Sequence, residues 1–124
     1  GGGGIPVIET ENGLEGVPAV IDKDSSSAKL AMDLEADILV ILTAVEKVAI
    51  NFNKPNQEEL SSMTLEDVEK YIKEGHFAKG SMLPKVEACR NFVQNSKKDA
   101  VAIITSLEKA AEAISGETGT VIKK

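Results

Sequence analysis

The sequence has little of three features that mark particular classes of protein. Its single cysteine, Cys89, allows neither an internal disulfide nor a zinc site with several thiolates, and it fits a reducing compartment. Its longest apolar runs, such as residues 38–42, are far too short to cross a bilayer, and no basic and apolar leader opens the chain, so we expect a soluble protein with no membrane partner. Basic residues are outnumbered by acidic ones, 14 to 20, and the net charge of −6 argues against a nucleic-acid partner.

The length and composition fit one ordinary folded domain. The 124 residues are 42% hydrophobic and 27% charged, close to globular averages, which argues against disorder, collagen and coiled coil. A chain of this length withdraws roughly two-thirds of its unfolded surface from water, so it needs no disulfide or metal to fold. Because it begins with four glycines rather than methionine, we expect a product of processing, tagging or excision from something longer.

Apolar β-branched runs alternate with amphipathic stretches, which is typical of strands joined by helices in an α/β fold. Strands are predicted at residues 5–8 and 17–21, paired as a hairpin, and at residues 38–43, 48–52, 100–104 and 119–122. Helices are predicted at residues 24–35, 64–74, 84–94 and 107–114, with loops at residues 53–62 and 76–81. Thr64 and Asp67 form an approximate capping box, and the run at residues 38–42 predicts a strand buried on both faces.

Two lysines stand beside predicted helix starts. Lys85 lies in the first turn of its helix, where the helix dipole makes a cation unfavourable by about 0.3–1 kcal/mol unless an anion is present. Lys23 follows a predicted strand and precedes a run of serines that opens a helix. Helix N-termini and the carboxyl ends of strands bind phosphate in α/β proteins, so both lysines are candidates to face one polyphosphate. The alternative, that both are solvated loop residues, stays open.

Other polar or reactive residues have simpler explanations. Asp24 is a candidate N-cap, although beside Lys23 its carboxylate is also suited to hold ammonium groups in place. Residues 1–4 are either a cradle that brings bare backbone close to an anion or a linker. His76 is interpreted as a helix-end or surface residue and Cys89 as a packed one. The acidic residues between positions 58 and 69 are interpreted as a solvated helix face.

Several longer strings stand out: GGGGIPV at residues 1–7, VIDKD at 20–24, ILVILTAV at 38–45, INFNKPNQ at 50–57, HFAKGSMLPKVEA at 76–88, AIITSLE at 102–108 and GTVI at 119–122. Together they resemble the carbamate kinases of the amino-acid kinase family. The resemblance spans the whole chain but only the carboxyl-terminal half of such an enzyme. It implies a truncated three-layer αβα sandwich with a largely parallel central sheet. Residues 1–124 would then be the nucleotide-binding lobe, with the amino-terminal, acceptor-binding half absent.

The resemblance implies reversible phosphoryl transfer between carbamoyl phosphate with ADP and carbamate with ATP. Mg²⁺ would be held mainly by phosphate oxygens, with no dedicated metal site in the protein. The implied partners are the nucleotide and carbamoyl phosphate, in a cytoplasmic enzyme of arginine or purine-derivative breakdown that is a homodimer through the missing half. Because that half would carry the acceptor site, we expect this chain alone to be inactive.

The resemblance also assigns roles to individual residues. Lys23 would contact the phosphoryl group in transfer, Lys85 the nucleotide phosphates, and Asp24 would organise the two lysines. The nucleoside pocket would be lined by Thr43, Ala44, Val45, Ile50, Lys54 and Met82. Asn53 departs from the family, which commonly has glycine there. Phosphoryl transfer relies on alignment and charge stabilisation, which agrees with a sequence that has no paired nucleophile and base.

Two other functions stay open at this point. One is a related acyl-phosphate kinase that acts on an amino acid, against which the strings at residues 51–57 and 76–85 argue. The other is a non-catalytic nucleotide-binding or purely structural fragment.

Overall fold

A computed structural model describes residues 2–124, in which eight strands and four α-helices follow one another along the chain. The first six elements are β1 (Val7–Thr10), β2 (Gly13–Gly16), α1 (Lys23–Asp33), β3 (Ile38–Thr43), β4 (Val48–Ile50) and β5 (Glu58–Leu60). The others are β6 (Ser62–Thr64), α2 (Leu65–Lys73), α3 (Met82–Asn95), β7 (Val101–Ser106), α4 (Ala110–Ile114, after a 3₁₀ turn at Leu107–Lys109) and β8 (Thr120–Lys123). Among these residues no helix is both long and apolar enough to span a bilayer.

The central sheet has four strands in the order β3-β7-β8-β6. β3 and β7 are parallel, with Ile38 opposite Val101 and Thr43 opposite Ser106, and β6 is parallel to β8, while β7 and β8 are antiparallel. The predicted α/β class with a largely parallel sheet is therefore confirmed. Because β3 and β7 run in the same direction, their carboxyl ends meet at one edge, where ligands gather in open α/β sheets.

One face of this sheet carries the hydrophobic core. Alternate residues of a strand share a face, and Leu39 and Ile41 of β3 are buried there together with Ala102 and Ile104 of β7. α1 and α3 pack against each other and against this face. On α3 four fully buried residues at positions i, i+3, i+6 and i+7 form one side of the helix: Val86, Cys89, Phe92 and Val93. The interpretation of Cys89 as a packed residue is confirmed, and its burial raises the pKa of the thiol to about 12.

The opposite face of β3 is only partly covered, so the prediction of a strand buried on both sides is wrong. Ile38 and Leu42 are 44% and 41% exposed. An uninterrupted apolar run predicts helices on both faces of a strand, but α1 and α3 lie on the same side. In the described part of the chain α4 packs on the other side, against β7 rather than β3.

Two predictions about short strands need correction. The β1–β2 hairpin exists, but it closes directly at residues 11–12, with Thr10 opposite Gly13; residues 17–21 therefore run on as a loop, in which Pro18 has no N–H to donate. Residues 53–62 are not a continuous loop either, because β5 pairs antiparallel with β4 and β6 pairs with β8. Their polar composition conceals strands that the neighbouring strands stabilise.

The helix ends follow from local chemistry. At the start of α2 the Thr64 hydroxyl accepts the Asp67 main-chain N–H at 3.2 Å, and the Asp67 carboxylate accepts the Thr64 N–H at 2.9 Å, which confirms the capping box. The chain leaves this helix at Gly75, whose φ of +75° favours glycine. α3 begins two residues earlier than predicted, at Met82, so Lys85 is its fourth residue.

Candidate functional site

The N-terminus of α1 is capped by Asp22 and not by Asp24. The Asp22 carboxylate accepts the main-chain N–H groups of Asp24 and Ser25, each at 3.3 Å. The candidate N-cap role of Asp24 is therefore wrong, since Asp22 holds the N-cap position and Asp24 is the second residue of α1. Because Asp22 satisfies the helix end, the carboxylate of Asp24 is free for other partners.

Those partners are Lys23 and Lys85, the two lysines that were predicted to face one polyphosphate. Lys23 Nζ donates to Asp24 Oδ1 at 3.1 Å, and Lys85 Nζ donates to Asp24 Oδ2 at 3.1 Å. The side chain of Asp24 is 9% exposed, that of Lys85 15%, and that of Lys23 62%. The structure thus brings one buried carboxylate and two ammonium groups together, with one ammonium group held inside and the other facing solvent.

This cluster keeps a net positive charge. Burial works against the ionised form of Asp24, but the hydrogen bonds and charges of Lys85 and Lys23 outweigh burial and leave the pKa of Asp24 below its ordinary 3.8. The hydrogen bond and charge of Asp24 raise the pKa of Lys23 above 10.5. The N-terminus of α1 is already capped by the Asp22 carboxylate, whereas that of α3 has no side-chain cap. The place suited to an anion is therefore the N-terminus of α3 beside Lys85, where the helix dipole also favours negative charge.

The Asp24 carboxylate is poorly placed to bind a metal cation, because each of its oxygens already accepts a hydrogen bond from a lysine ammonium group. Within residues 2–124 no group of three or more His, Cys, Asp or Glu side chains is arranged to hold a metal ion. The cluster can therefore position and neutralise an anion, and it offers no ready-made metal site of its own.

The glycine run packs against the segment that leads into α1. A Cβ atom on Gly3 would overlap the main-chain carbonyl oxygen of Ile21, and the Ser26 hydroxyl donates to the Gly2 carbonyl oxygen at 3.2 Å. Gly4 has a φ of +87°, which favours glycine. Gly1 lies outside the described residues. The structure gives residues 2–4 a place beside Asp22 and the lysine cluster, and close backbone contact is the reason that Gly3 must lack a side chain.

A cavity of about 300 Å³ opens at the carboxyl end of β3. It lies between the β4–β5 hairpin and the loop that leads into α3. Four of the six residues predicted for a nucleoside pocket line it: Thr43, Ala44, Val45 and Met82. Met82 begins α3 and Lys85 follows it by about one helical turn, so the cavity and the lysine cluster share one helix terminus.

Ile50 and Lys54 do not line this cavity. Val48 and Ile50 alternate toward the core, where Ile50 is 8% exposed, and Ala49 between them faces the cavity. Lys54 lies exposed in the loop between β4 and β5. The period-two pattern of β4, which the sequence contains, is the signal that would have chosen Ala49 instead of Ile50.

The sequence did not identify several other residues of the cavity wall: Lys47, Phe52, Gln57, Glu59, His76, Ala78 and Ser81. Glu59 belongs to β5, opposite Ala49, and not to a solvated helix face. His76 ends α2 as interpreted, because its main-chain N–H donates to the Tyr71 carbonyl oxygen at 3.1 Å; its side chain, however, is only 15% exposed and is not a surface group. The error about Glu59 arises because no local pattern of polar residues indicates the β4–β5 pairing.

A wider, open groove of about 590 Å³ lies between α2 and α3, lined by charged side chains such as Glu69, Lys70 and Arg90. It contains none of the predicted site residues. The smaller cavity is the better candidate, since it combines apolar walls with nearby polar groups and shares the N-terminus of α3 with Lys85.

Known proteins resemble this chain in sequence and in fold. The sequence model of the amino acid kinase family matches residues 2–105 of this chain. The chain is 61% identical over 124 residues to a carbamate kinase of Clostridium perfringens, and 61% identical over 122 residues to the carbamate kinase-like protein YqeA of Escherichia coli; in each case it covers 39% of that protein. The structure of carbamate kinase from Giardia lamblia bound to AMP-PNP superposes with a TM-score of 0.92 at 43% identity, covering 98% of this chain and 38% of that one. The chain therefore spans about two-fifths of the length of these relatives.

Proposed function

This chain belongs to the amino acid kinase family, and from that premise we propose that it is the carboxyl-terminal, nucleotide-binding part of a carbamate kinase. The complete enzyme would transfer a phosphoryl group reversibly between carbamoyl phosphate with ADP and carbamate with ATP. The observation that carries the proposal is the position of the cavity, which shares the N-terminus of α3 with Lys85, one of two lysines bridged by one buried carboxylate. Relatives named carbamate kinase, 52% to 61% identical to the chain, support the choice of substrate.

The nucleoside and the phosphates of ADP or ATP occupy different parts of this site. The base and ribose lie in the cavity, against Val45 and Met82. From there the phosphates extend along the N-terminus of α3 toward Lys85. A chain of phosphates is then neutralised by an ammonium group and by main-chain N–H groups at a helix end.

The two lysines have different tasks because they differ in exposure. Lys85, mostly buried and fixed by Asp24, holds the nucleotide phosphates, whereas Lys23, largely exposed, reaches the phosphoryl group in transfer. Asp24 keeps both ammonium groups in place and does not touch the substrate. Such fixed positive groups stabilise the charge that spreads over the moving phosphoryl oxygens.

A magnesium ion, when bound, would neutralise part of the negative charge of the phosphates. The residues present fit an ion held mainly by phosphates and water, because both oxygens of Asp24 already accept lysines. The site for carbamoyl phosphate and the main dimer contacts belong, in this proposal, to the part of the relatives that the chain does not cover.

The same coverage favours a narrower function for the isolated chain. Since it spans 39% of the Clostridium perfringens relative, we expect it to bind adenine nucleotides without turning over carbamoyl phosphate. A non-catalytic nucleotide-binding fragment is then a correct description of the chain alone, and a kinase is the correct description of the complete protein.

The test measures ADP binding to the chain by calorimetry, and ATP formation from carbamoyl phosphate and ADP by the chain alone and by a completed enzyme. The completed enzyme is this chain joined to the remaining segment of the Clostridium perfringens relative. We expect ADP binding by the chain, no ATP formation by the chain alone, and ATP formation by the completed enzyme. A chain that binds no ADP at millimolar concentration, or one that forms ATP unaided, would contradict the proposal.

A further inference from the structure

We propose that His76 is a positioning residue that fixes one wall of the cavity through the main-chain N–H of Asn51. This inference rests on the proposed nucleotide-binding function, because the wall it fixes is the one that would contact the nucleoside. Nδ1 of His76 accepts the Asn51 N–H at 3.2 Å, and Nε2 lies 2.9 Å from Oε2 of Glu74. The ring also lines the cavity.

These two contacts determine the tautomer of the ring. A main-chain N–H only donates, so Nδ1 carries no proton in this arrangement. The carboxylate of Glu74 only accepts, so Nε2 carries the proton and donates it to Glu74. Both ring nitrogens are satisfied in the neutral form, and the edge of the ring packs against Tyr71, with centroids 5.5 Å apart and planes at 82°. The imidazole therefore has one orientation and one tautomer in this arrangement.

The loop that His76 contacts contains two residues in the left-handed backbone region. Asn51 and Asn53 have φ values of +52° and +59°, which residues other than glycine adopt at a cost that is smaller for asparagine than for most others. Within residues 51–57 the Asn53 N–H donates to Gln57 Oε1 at 2.9 Å, and Asn51 Nδ2 donates to the Asn56 carbonyl oxygen at 3.4 Å. The bond to His76 joins this internally bonded loop to a different part of the chain, 25 residues away.

The loop and the segment after His76 form two walls of the same cavity. Phe52 and Gln57 come from the loop, whereas Ala78 and Ser81 come from the segment that leads into α3. One imidazole thus sets the separation of the two walls. Loss of its Nδ1 acceptor frees residues 51–57 and weakens nucleotide binding, while the lysine cluster around Asp24 stays intact, because it lies on other elements.

Three variants separate the two ring nitrogens. His76→Asn places an amide oxygen near the position of Nδ1 and keeps an acceptor for Asn51. His76→Gln extends toward the position of Nε2 and removes that acceptor, and His76→Ala removes both groups. Glu74→Ala is the fourth variant, since Glu74 holds Nε2 but does not line the cavity. If the loop at residues 51–57 depends on the Nδ1 contact, His76→Asn keeps nearly the wild-type nucleotide affinity, whereas His76→Gln and His76→Ala lose it.

The experiment uses the 124-residue chain and three measurements: ¹⁵N NMR of the imidazole, amide hydrogen exchange of Asn51, and ADP affinity by calorimetry. We expect a proton on Nε2 in the wild type. Exchange protection of Asn51 and ADP affinity should each fall about tenfold in the Ala and Gln variants, as loss of one hydrogen bond implies. They should fall less than threefold in the Asn variant and by an intermediate factor in Glu74→Ala.

Each contrary result has a definite meaning. A proton on Nδ1, or unchanged Asn51 protection in His76→Ala, overturns the inference while ADP binding by the wild type upholds the proposed function. Protected Asn51 with reduced affinity in His76→Asn also overturns it, since the ring would then act by touching the nucleotide. A wild-type chain that binds no ADP overturns the proposed function and, with it, the nucleotide role of His76.

Discussion

Lys85 and Asp24 lie 61 residues apart in the chain, and their side chains meet at 3.1 Å, joining the first turns of α3 and α1. A lysine in the first turn of a helix is opposed by the helix dipole by about 0.3–1 kcal/mol, and a carboxylate in the same place is favoured by a similar amount. The contact therefore places Lys85 where an anion would need it, with Asp24 offsetting the unfavourable position. Since Asp24 also accepts Lys23, one buried carboxylate determines the position of both cations.

Replacement of that carboxylate should destabilise the fold in a pH-dependent way. Asp24→Asn leaves Lys85 mostly buried without a counter-charge, and loss of one partner of a buried pair costs about 3–5 kcal/mol. The pKa of Asp24 is lowered in the folded chain, so its contribution to the unfolding free energy is fully present above pH 3.8 and is lost as the pH falls through the lower folded pKa. Urea unfolding of both proteins between pH 7 and pH 2.5 should show curves that converge below about pH 4.

The matched control is Asp33→Asn, which removes an exposed carboxylate from the other end of α1, paired with Lys29 four residues earlier. Exposed pairs of this spacing contribute about 0.3–0.5 kcal/mol. An Asp24 variant whose stability follows the Asp33 variant across the pH range would show that the cluster does not hold α1 and α3 together.

Substitution of Lys85 should affect both nucleotide binding and turnover. In the completed enzyme, Lys85→Ala removes the ammonium group assigned to the nucleotide phosphates, and we expect kcat to fall by about 10²–10³, as for other single electrostatic groups. ADP affinity should fall at least tenfold while adenosine affinity stays the same. Lys29→Ala, an exposed lysine of α1, serves as the control. Unchanged kinetics in a folded Lys85→Ala protein would remove this residue from the mechanism.

Substitution of Lys23 should separate catalysis from binding. Its side chain is 62% exposed, and in the proposed function its ammonium group meets the phosphoryl group only during transfer. An interaction made only in the transition state lowers kcat and kcat/KM equally and leaves the ground-state affinity nearly unchanged. Steady-state kinetics of Lys23→Ala in the completed enzyme, together with ADP calorimetry, will measure both. Normal turnover with weaker ADP binding is the opposite pattern, and it would exchange the roles of the two lysines.

Part of this site could be predicted because its signals are local. The run at residues 38–43 is so rich in β-branched and apolar side chains that its bounds match β3, and the Thr64–Asp67 box needs only four residues. The start of α1 was predicted wrongly, at Asp24, because Asp22 and Asp24 are both good caps by composition. The local sequence does not show that the Asp24 side chain instead accepts Lys85, a residue of another helix.

The cavity wall was hidden from the sequence for a related reason. β5 is polar, and it becomes a strand because it pairs with β4; β-propensity depends on such neighbours more than on the residues themselves. His76 has no second histidine or cysteine nearby in the sequence, so a ligand role was not indicated. The partner of its Nδ1 is the main-chain N–H of Asn51 in another loop, and a pattern of side chains in the sequence cannot predict a main-chain donor.

The cavity itself is tested by filling it. Ala44→Phe places a ring at the carboxyl end of β3, where Ala44 lines the cavity and is otherwise exposed, so the fold should tolerate it. We expect ADP affinity to fall at least tenfold, and adenosine affinity to fall with it, because the added ring competes with the base. Ala111→Phe adds the same ring on an exposed position of α4 and should leave the affinity unchanged. Equal ADP affinity in both variants would place the base elsewhere.

The glycine run offers the last test, because Gly2 and Gly3 differ sharply in their surroundings. A Cβ on Gly3 would overlap the main-chain carbonyl oxygen of Ile21, whereas a Cβ on Gly2 would meet nothing within 4 Å. Main-chain atoms cannot turn aside as a side chain can, so Gly3→Ala must shift Ile21, and Ile21 directly precedes the Asp22 cap. Overpacking of this kind costs about 1–3 kcal/mol.

We therefore expect Gly3→Ala to lower the unfolding free energy in urea and to weaken ADP binding, through displacement of the start of α1, with Gly2→Ala like the wild type in both measurements. A stable Gly3→Ala chain with weakened ADP binding would instead indicate that the glycine brings backbone close to the bound anion. If the two alanine variants behave alike, the contact between residue 3 and Ile21 does not position the lysine cluster, and the cluster depends on Asp22 and Asp24 alone.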